Sequence, residues 1–137
     1  MNISFNKRFL FFLFICFLVY LQGIFKLPVM DRDEARFATA SKTMLIEKDF
    51  IDIKMVEEKR YKKPIGIYWT QSLMNSIFGS YPYDKISIYR LPSILGVFIS
   101  FFLIFVIIRN IENESIAFLT VFFLIFSFLT ISEIHQA

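Results

Sequence analysis

Leu91-Pro92-Ser93-Ile94-Leu95-Gly96-Val97-Phe98-Ile99-Ser100-Phe101-Phe102-Leu103-Ile104-Phe105-Val106-Ile107-Ile108 contains no charged side chain, and how it is read decides the fold. Wound as a helix rising about 1.5 Å per residue, the run reaches roughly the thickness of a bilayer's hydrocarbon core. Two more runs of the same kind lie on either side: Phe9 to Phe25, near the lower limit for a span, and Ile116 to Ser132. The expected architecture is therefore an all-α integral membrane protein with spans at 9–25, 91–108 and 116–132 and a polar insert over 26–90. A single domain is expected for 137 residues.

Composition supports that reading. Apolar residues make up 56% of the chain, 19 residues are Phe, and only 20% are charged, too little polar surface to cover a core in water. The net charge of +3 is modest and its basic residues form no stripe, so nucleic acid is not an expected partner. Cys16 is the single cysteine, which excludes an internal disulfide framework or a cysteine metal site. Lys7-Arg8 before an apolar run is also how a secretory signal begins. The Phe-rich and Leu-rich run is longer than a signal core, however, and Gln22-Gly23-Ile24-Phe25-Lys26 offers no small-x-small cleavage site, so a retained helix is expected.

Short basic flanks set the orientation. Of the fifteen Lys and Arg, all but Lys7, Arg8 and Arg109 lie in the long insert, where the charge rule is weak. These three are assigned to the cytoplasm, and the insert and His135 to the periplasmic side of a bacterial inner membrane. Leu27-Pro28 closes the first span. Residues 33–48 have helical spacing, with Phe37, Ala40, Met44 and Leu45 on one face and Asp31 or Asp33 as N-cap. Ile51, Ile53 and Met55 alternate as in a short extended stretch. A second helix is expected over 64–78, opened by Pro64, with Ile65, Trp69, Leu73 and Ile77 as its apolar stripe. Both helices read as amphipathic elements at the membrane interface.

Two clusters in the insert carry chemistry. Asp31, Asp33, Glu34 and Arg36 bring three carboxylates together near the first span. They suit a general base, a divalent metal, or merely a capped helix start with Asp33 or Glu34 paired to Arg32 or Arg36. Lys59-Arg60-Tyr61-Lys62-Lys63-Pro64 sets cations before a helix N-terminus, which suits a phosphate or pyrophosphate, or a basic patch on anionic lipid.

Taken together, Asp33-Glu34-Ala35-Arg36-Phe37, then Tyr61-Lys62-Lys63-Pro64-Ile65 with Tyr68-Trp69 and Phe78-Gly79, resemble the start of the bacterial membrane glycosyltransferases that include the lipid A aminoarabinose transferases, relatives of the protein O-mannosyltransferases. The resemblance runs from Lys7 to about Ala137 and is most informative from Asp33 to Gly79. It implies the N-terminal part of a GT-C-type fold, in which two interfacial helices in the first extracytoplasmic loop shape the active site. Its members move a sugar from a polyprenyl phosphate carrier to an acceptor outside the cytoplasm, lipid A among them. By position, Asp33 would be the catalytic acid or base, supported by Glu34 and Arg36. Lys63 would hold the carrier phosphate, with Arg60 and Tyr61 beside it. The metal requirement is left open. Membrane lipid and a polyprenyl-phosphate sugar donor are the implied partners.

Two departures from the family stand out. Lys62 occupies a position that is often acidic, and the chain ends where the family continues, with His135 at the start of the next loop. The expectation is thus a truncated product, a sequence fragment, or one half of a split enzyme whose other polypeptide is encoded downstream, inactive by itself. The alternative is a small non-enzymatic membrane protein that binds partners or anionic lipids through its interfacial helices.

Overall fold

A computed structural model describes residues 6–29, 31–55, 58–59 and 63–134. Arg60, Tyr61, Lys62 and His135 lie outside the described residues. The chain folds as two compact units, one formed by Met1–Lys26 with Ser93–His135 and the other by Leu27–Pro92 with Gln136–Ala137.

The first unit is built from helices α1 (Lys7–Lys26), most of α4 (Ile86–Ile111), α5 (Glu114–Ile125) and α6 (Phe128–Glu133). Both α1 and α4 are long and apolar enough to cross a membrane. Phe9, Cys16, Tyr20 and Ile24 form the buried stripe of α1, while Phe11, Phe14, Leu18 and Val19 point outward. An outward apolar face is what lipid, rather than water, asks of a helix. Aromatic rings fill the interior. Phe9 stacks on Phe105 with ring planes 8° apart, Phe17 meets Phe98 edge-on at 5.3 Å, and Phe12 leans on Phe118 at 5.0 Å.

The continuous helix expected over 116–132 is instead two helices. Asn113 caps α5, its side chain accepting from the Ile116 N–H at 2.9 Å. After Phe126 the backbone turns extended at Ser127, whose hydroxyl oxygen caps α6 by accepting from the Thr130 N–H. A serine able to cap competes with its own continuation of the helix. The break frees the Ile125 carbonyl, and the Tyr20 hydroxyl of α1 donates to it. In an apolar surrounding such a group must find a partner inside the protein.

The second unit holds α2 (Arg32–Glu47), the strands β1 (Lys54–Met55) and β2 (Glu58–Lys59), α3 (Ile65–Phe78) and the start of α4. The strands amend the all-helical expectation. They pair antiparallel, with Lys54 opposite Lys59 and Met55 opposite Glu58. Helix α2 stops because Lys48 adopts the left-handed conformation, φ 57°. Helix α3 stops at Gly79, where a Cβ would lie 2.5 Å from the Asn75 carbonyl oxygen. Ala40, Met44, Ile53 and Tyr68 form the small core, with Phe37, Ile65 and Ile67 packed around it.

The seam between α2 and α3 is polar. Ser41 donates to Gln71 Oε1 at 2.7 Å and Ser72 donates to the Ser41 carbonyl at 3.2 Å, while within α3 the buried Asn75 donates to the Gln71 carbonyl at 3.0 Å. Helix α4 passes from the second unit into the first at Pro92, a residue with no N–H to give the Ile88 carbonyl.

Candidate active site

The N-terminal turn of α2 divides the acidic cluster. Asp31 is the N-cap residue, in extended backbone, and its side chain makes no capping bond. Asp33 accepts from Arg36 Nη1 at 3.0 Å, one turn on, and the two side chains stay 50% and 39% exposed. An acid held at that exposure is stabilised only modestly by its partner and remains open to an incoming group.

Glu34 faces the opposite way. It is buried, and Arg90 at the start of α4 grips it through two bonds, Nε to Oε1 at 2.6 Å and Nη2 to Oε2 at 3.1 Å. Arg90 is also fully buried and donates to the carbonyls of Leu27 and Pro28, each at 2.7 Å. Fork-shaped guanidinium contacts of this kind fix geometry as well as charge. Glu34 thus ties α2 to the residues before it and to the head of α4. Among the described residues no three carboxylate, histidine or cysteine side chains gather into a metal-ligating group.

Lys63 comes to the same helix from the other end of the unit. Its ammonium nitrogen stands 6.0 Å from the centre of the Phe37 ring, within cation–π range. Phe37 lies one turn after Asp33 on α2, and its ring leans on Tyr68 of α3 at 5.6 Å. Asp33, Phe37 and Lys63 are thereby arranged along α2, with an acid at the first turn and a cation above the second. Lys63 itself is exposed, just before α3 begins at Ile65. Below them Tyr68 is fully buried, and its hydroxyl has no hydrogen-bond partner among the described residues.

The structure therefore brings Asp33, Arg36 and Lys63 to one helix and sets Glu34 apart from them in a buried ion pair. Arg60 and Tyr61 lie outside the described residues. Sequence reasoning missed Phe37 as the seat of the lysine and Arg90 as the partner of Glu34. A single arginine at the head of an apolar run was the available signal for Arg90, since a charge there needs a partner. Phe37 stands four residues after Asp33, the spacing of neighbours on a helix face.

Comparison with known proteins bears on this arrangement. The model of the family described as dolichyl-phosphate-mannose-protein mannosyltransferase matches residues 62–135, more than half of the chain. The chain belongs to that family. The match takes in Lys63-Pro64, α3, α4 and α5, and begins after Asp33. The chain is also similar to a curated relative, the undecaprenyl phosphate-alpha-4-amino-4-deoxy-L-arabinose arabinosyl transferase 2 of Proteus mirabilis (strain HI4320), with 27% identity over 116 residues. That alignment covers 84% of this chain and 20% of the relative, so the chain spans about a fifth of the relative's length. No solved structure matches it. This mannosyltransferase-family chain is a mostly helical membrane protein with two helices of spanning length.

Proposed function

We propose that this family member supplies the first-loop part of a glycosyltransferase site that moves a sugar from a polyprenyl phosphate carrier to an extracytoplasmic acceptor, lipid A being the acceptor class that the resemblance of the Asp33–Gly79 motifs implies. In this reading the chain is a multi-pass protein of a bacterial inner membrane. Three segments cross it, and α2 and α3 lie in the first extracytoplasmic loop at the membrane face.

The observation that supports it is the seating of Lys63 above Phe37, one helical turn from Asp33. Transfer forms a bond between an acceptor oxygen and the sugar's anomeric carbon, and breaks the bond from that carbon to the carrier phosphate. The Asp33 carboxylate takes the proton of the acceptor hydroxyl, as a general base. Arg36, bonded to Asp33 at 3.0 Å, orients the carboxylate. The carrier phosphate departs with the bonding electron pair, and the Lys63 ammonium compensates its growing charge. Arg60 and Tyr61, next in sequence, are assigned to the same phosphate. Glu34 acts through position, by holding the first turn of α2 against Arg90.

The test is a transfer assay with polyprenyl-phosphate sugar donors, run on this chain alone and on the chain supplied with any polypeptide encoded downstream. In whichever preparation is active, Asp33→Asn and Lys63→Ala should each lower turnover by at least about 100-fold, the range expected for a lost general base or a lost oxyanion partner. Full activity in both variants would sink these assignments.

A further inference from the structure

Within the first unit, at the end that carries Lys7 and Arg8, a cavity of about 500 Å³ opens between the first turns of α1 and α5. Its lining is graded along both helices. Asn6 and Arg8 stand at the start of α1, and Glu114 and Ser115 at the start of α5. About one turn further along, the same cavity is lined by Phe12, Phe118 and Leu119, and the first two rings meet at 5.0 Å. Charge at the helix starts thus gives way to hydrocarbon within a few ångströms of helix rise.

The charged end is built but not closed. The Asn6 side-chain amide donates to Glu114 Oε1, which joins the two helix starts and occupies one carboxylate oxygen. Among the described residues, Glu114 Oε2 accepts from no side chain, and neither the Arg8 guanidinium nor the Ser115 hydroxyl donates to a protein group. Arg8 and Glu114 therefore line one cavity without pairing to each other. Two donors, one of them cationic, suit a phosphate, and the spare carboxylate oxygen suits an ammonium. A bare anion would meet the repulsion of Glu114, and a bare cation that of Arg8. A zwitterion with an apolar tail meets neither.

We propose that this cavity binds an aminophospholipid, with its phosphate on Arg8 and Ser115, its primary ammonium on Glu114 Oε2, and the start of an acyl chain on Phe12, Phe118 and Leu119. A membrane lipid is favoured over a water-soluble phosphoethanolamine by that aromatic lining and by α1, which is of spanning length. A phosphatidylglycerol head has no ammonium, and a phosphatidylcholine head has no N–H to give, so Glu114 is the selective group. Glu114 also suits the dipole at the start of α5, but that role is the same whichever lipid is present. The site shares no residue with Asp33, Arg36 or Lys63.

Native mass spectrometry of the detergent-solubilised 137-residue protein, titrated with palmitoyl-oleoyl phosphatidylethanolamine, phosphatidylcholine and phosphatidylglycerol, tests it. Phosphatidylethanolamine should bind about tenfold more tightly than the other two, the worth of one charged hydrogen bond. Glu114→Gln should bring it down to the phosphatidylcholine level and leave phosphatidylcholine unchanged. Arg8→Gln should weaken both lipids alike, with helical circular dichroism kept in each variant. Monomethyl and dimethyl phosphatidylethanolamine should bind in descending order, which probes the carboxylate without altering the protein. Glycerophosphoethanolamine, the same head without acyl chains, should displace nothing. Equal retention of the three lipids would mean an undiscriminating lipid shell, and a preference for phosphatidylglycerol would mean a simple basic patch. A phosphatidylethanolamine preference that survives Glu114→Gln or headgroup methylation, or displacement by the chain-free head, would mean that the assigned groups are wrong. Each of these overturns the proposal, and none depends on whether sugar transfer occurs.

Discussion

At the scale of single residues, two neighbours of the same chemical type have opposite fates. Asp33 and Glu34 are adjacent carboxylates, yet Asp33 stays at the surface with Arg36 while Glu34 is buried against Arg90. Helix geometry turns successive side chains by about 100°, which separates them. A buried charge left without its partner costs about 3–5 kcal/mol, whereas an apolar pair of similar volume is often tolerated. Arg90→Met alone and Glu34→Leu alone should therefore each lower the melting temperature of the detergent-solubilised protein markedly. The double variant should recover much of the loss, and a double variant as unstable as the sum of the singles would argue against a paired role. Asp33 and Arg36 were legible as an i,i+3 pair because they are local. Glu34 and Arg90 were not, because periodicity in one sequence does not say which distant charge a buried carboxylate will meet.

Elements repeat the lesson with backbone groups. The apolar run 116–132 was legible as hydrophobic but not as broken, since hydropathy carries no record of which residue will cap. Ser127 and Thr130 were the local signal. The Tyr20 hydroxyl answers the carbonyl released by that break, so Tyr20→Phe should destabilise the protein by about 1–3 kcal/mol, the cost of a buried acceptor left unpaired. Thermal unfolding in detergent checks it, and a silent substitution would show that the carbonyl is otherwise served.

At the end of α2, Asp49 accepts from the N–H groups of Asp52 and Ile51, and these bonds, with help from Lys54, hold its carboxyl below the usual carboxylate range. A depressed folded value means that the stabilisation is present above the unfolded value, about 3.9, and disappears as pH falls through the folded one. Carbon NMR of the Asp49 carboxyl should give a midpoint below that of a free aspartate. Asp49→Asn should remove its share of the acid-side loosening of residues 49–55. For α3, periodicity placed Ile65 on one stripe with Trp69, Leu73 and Ile77, yet Ile65 packs against the small core while the other three stand exposed, because the first turn is where α3 meets the cluster of Met44 and Tyr68.

For the whole molecule, the two helices of spanning length, α1 and α4, were legible from composition, and α4 proved longer than its uncharged run because Ile86–Arg90 continues the helix before Pro92. The orientation inferred from Lys7, Arg8 and Arg109 gives a direct prediction. In a Cys16→Ser background, Ser80→Cys should react with a membrane-impermeant maleimide on intact cells, and Glu112→Cys only after permeabilisation. The opposite pattern would invert the topology and move Asp33 and Lys63 to the cytoplasmic side, where the proposed acceptor is absent.

The bonds of Arg90 also set an order of events during synthesis. The arginine is translated 56 residues after Glu34 and 63 after Leu27, the other groups it holds. At about 5–20 residues per second, Glu34 waits roughly 3–11 s for its partner. Through that interval the first turn of α2, with Asp33 in it, lacks the bond that fixes it. The insert is thus fastened from its far end, and the acid proposed for catalysis reaches its final setting only when α4 has begun to be made.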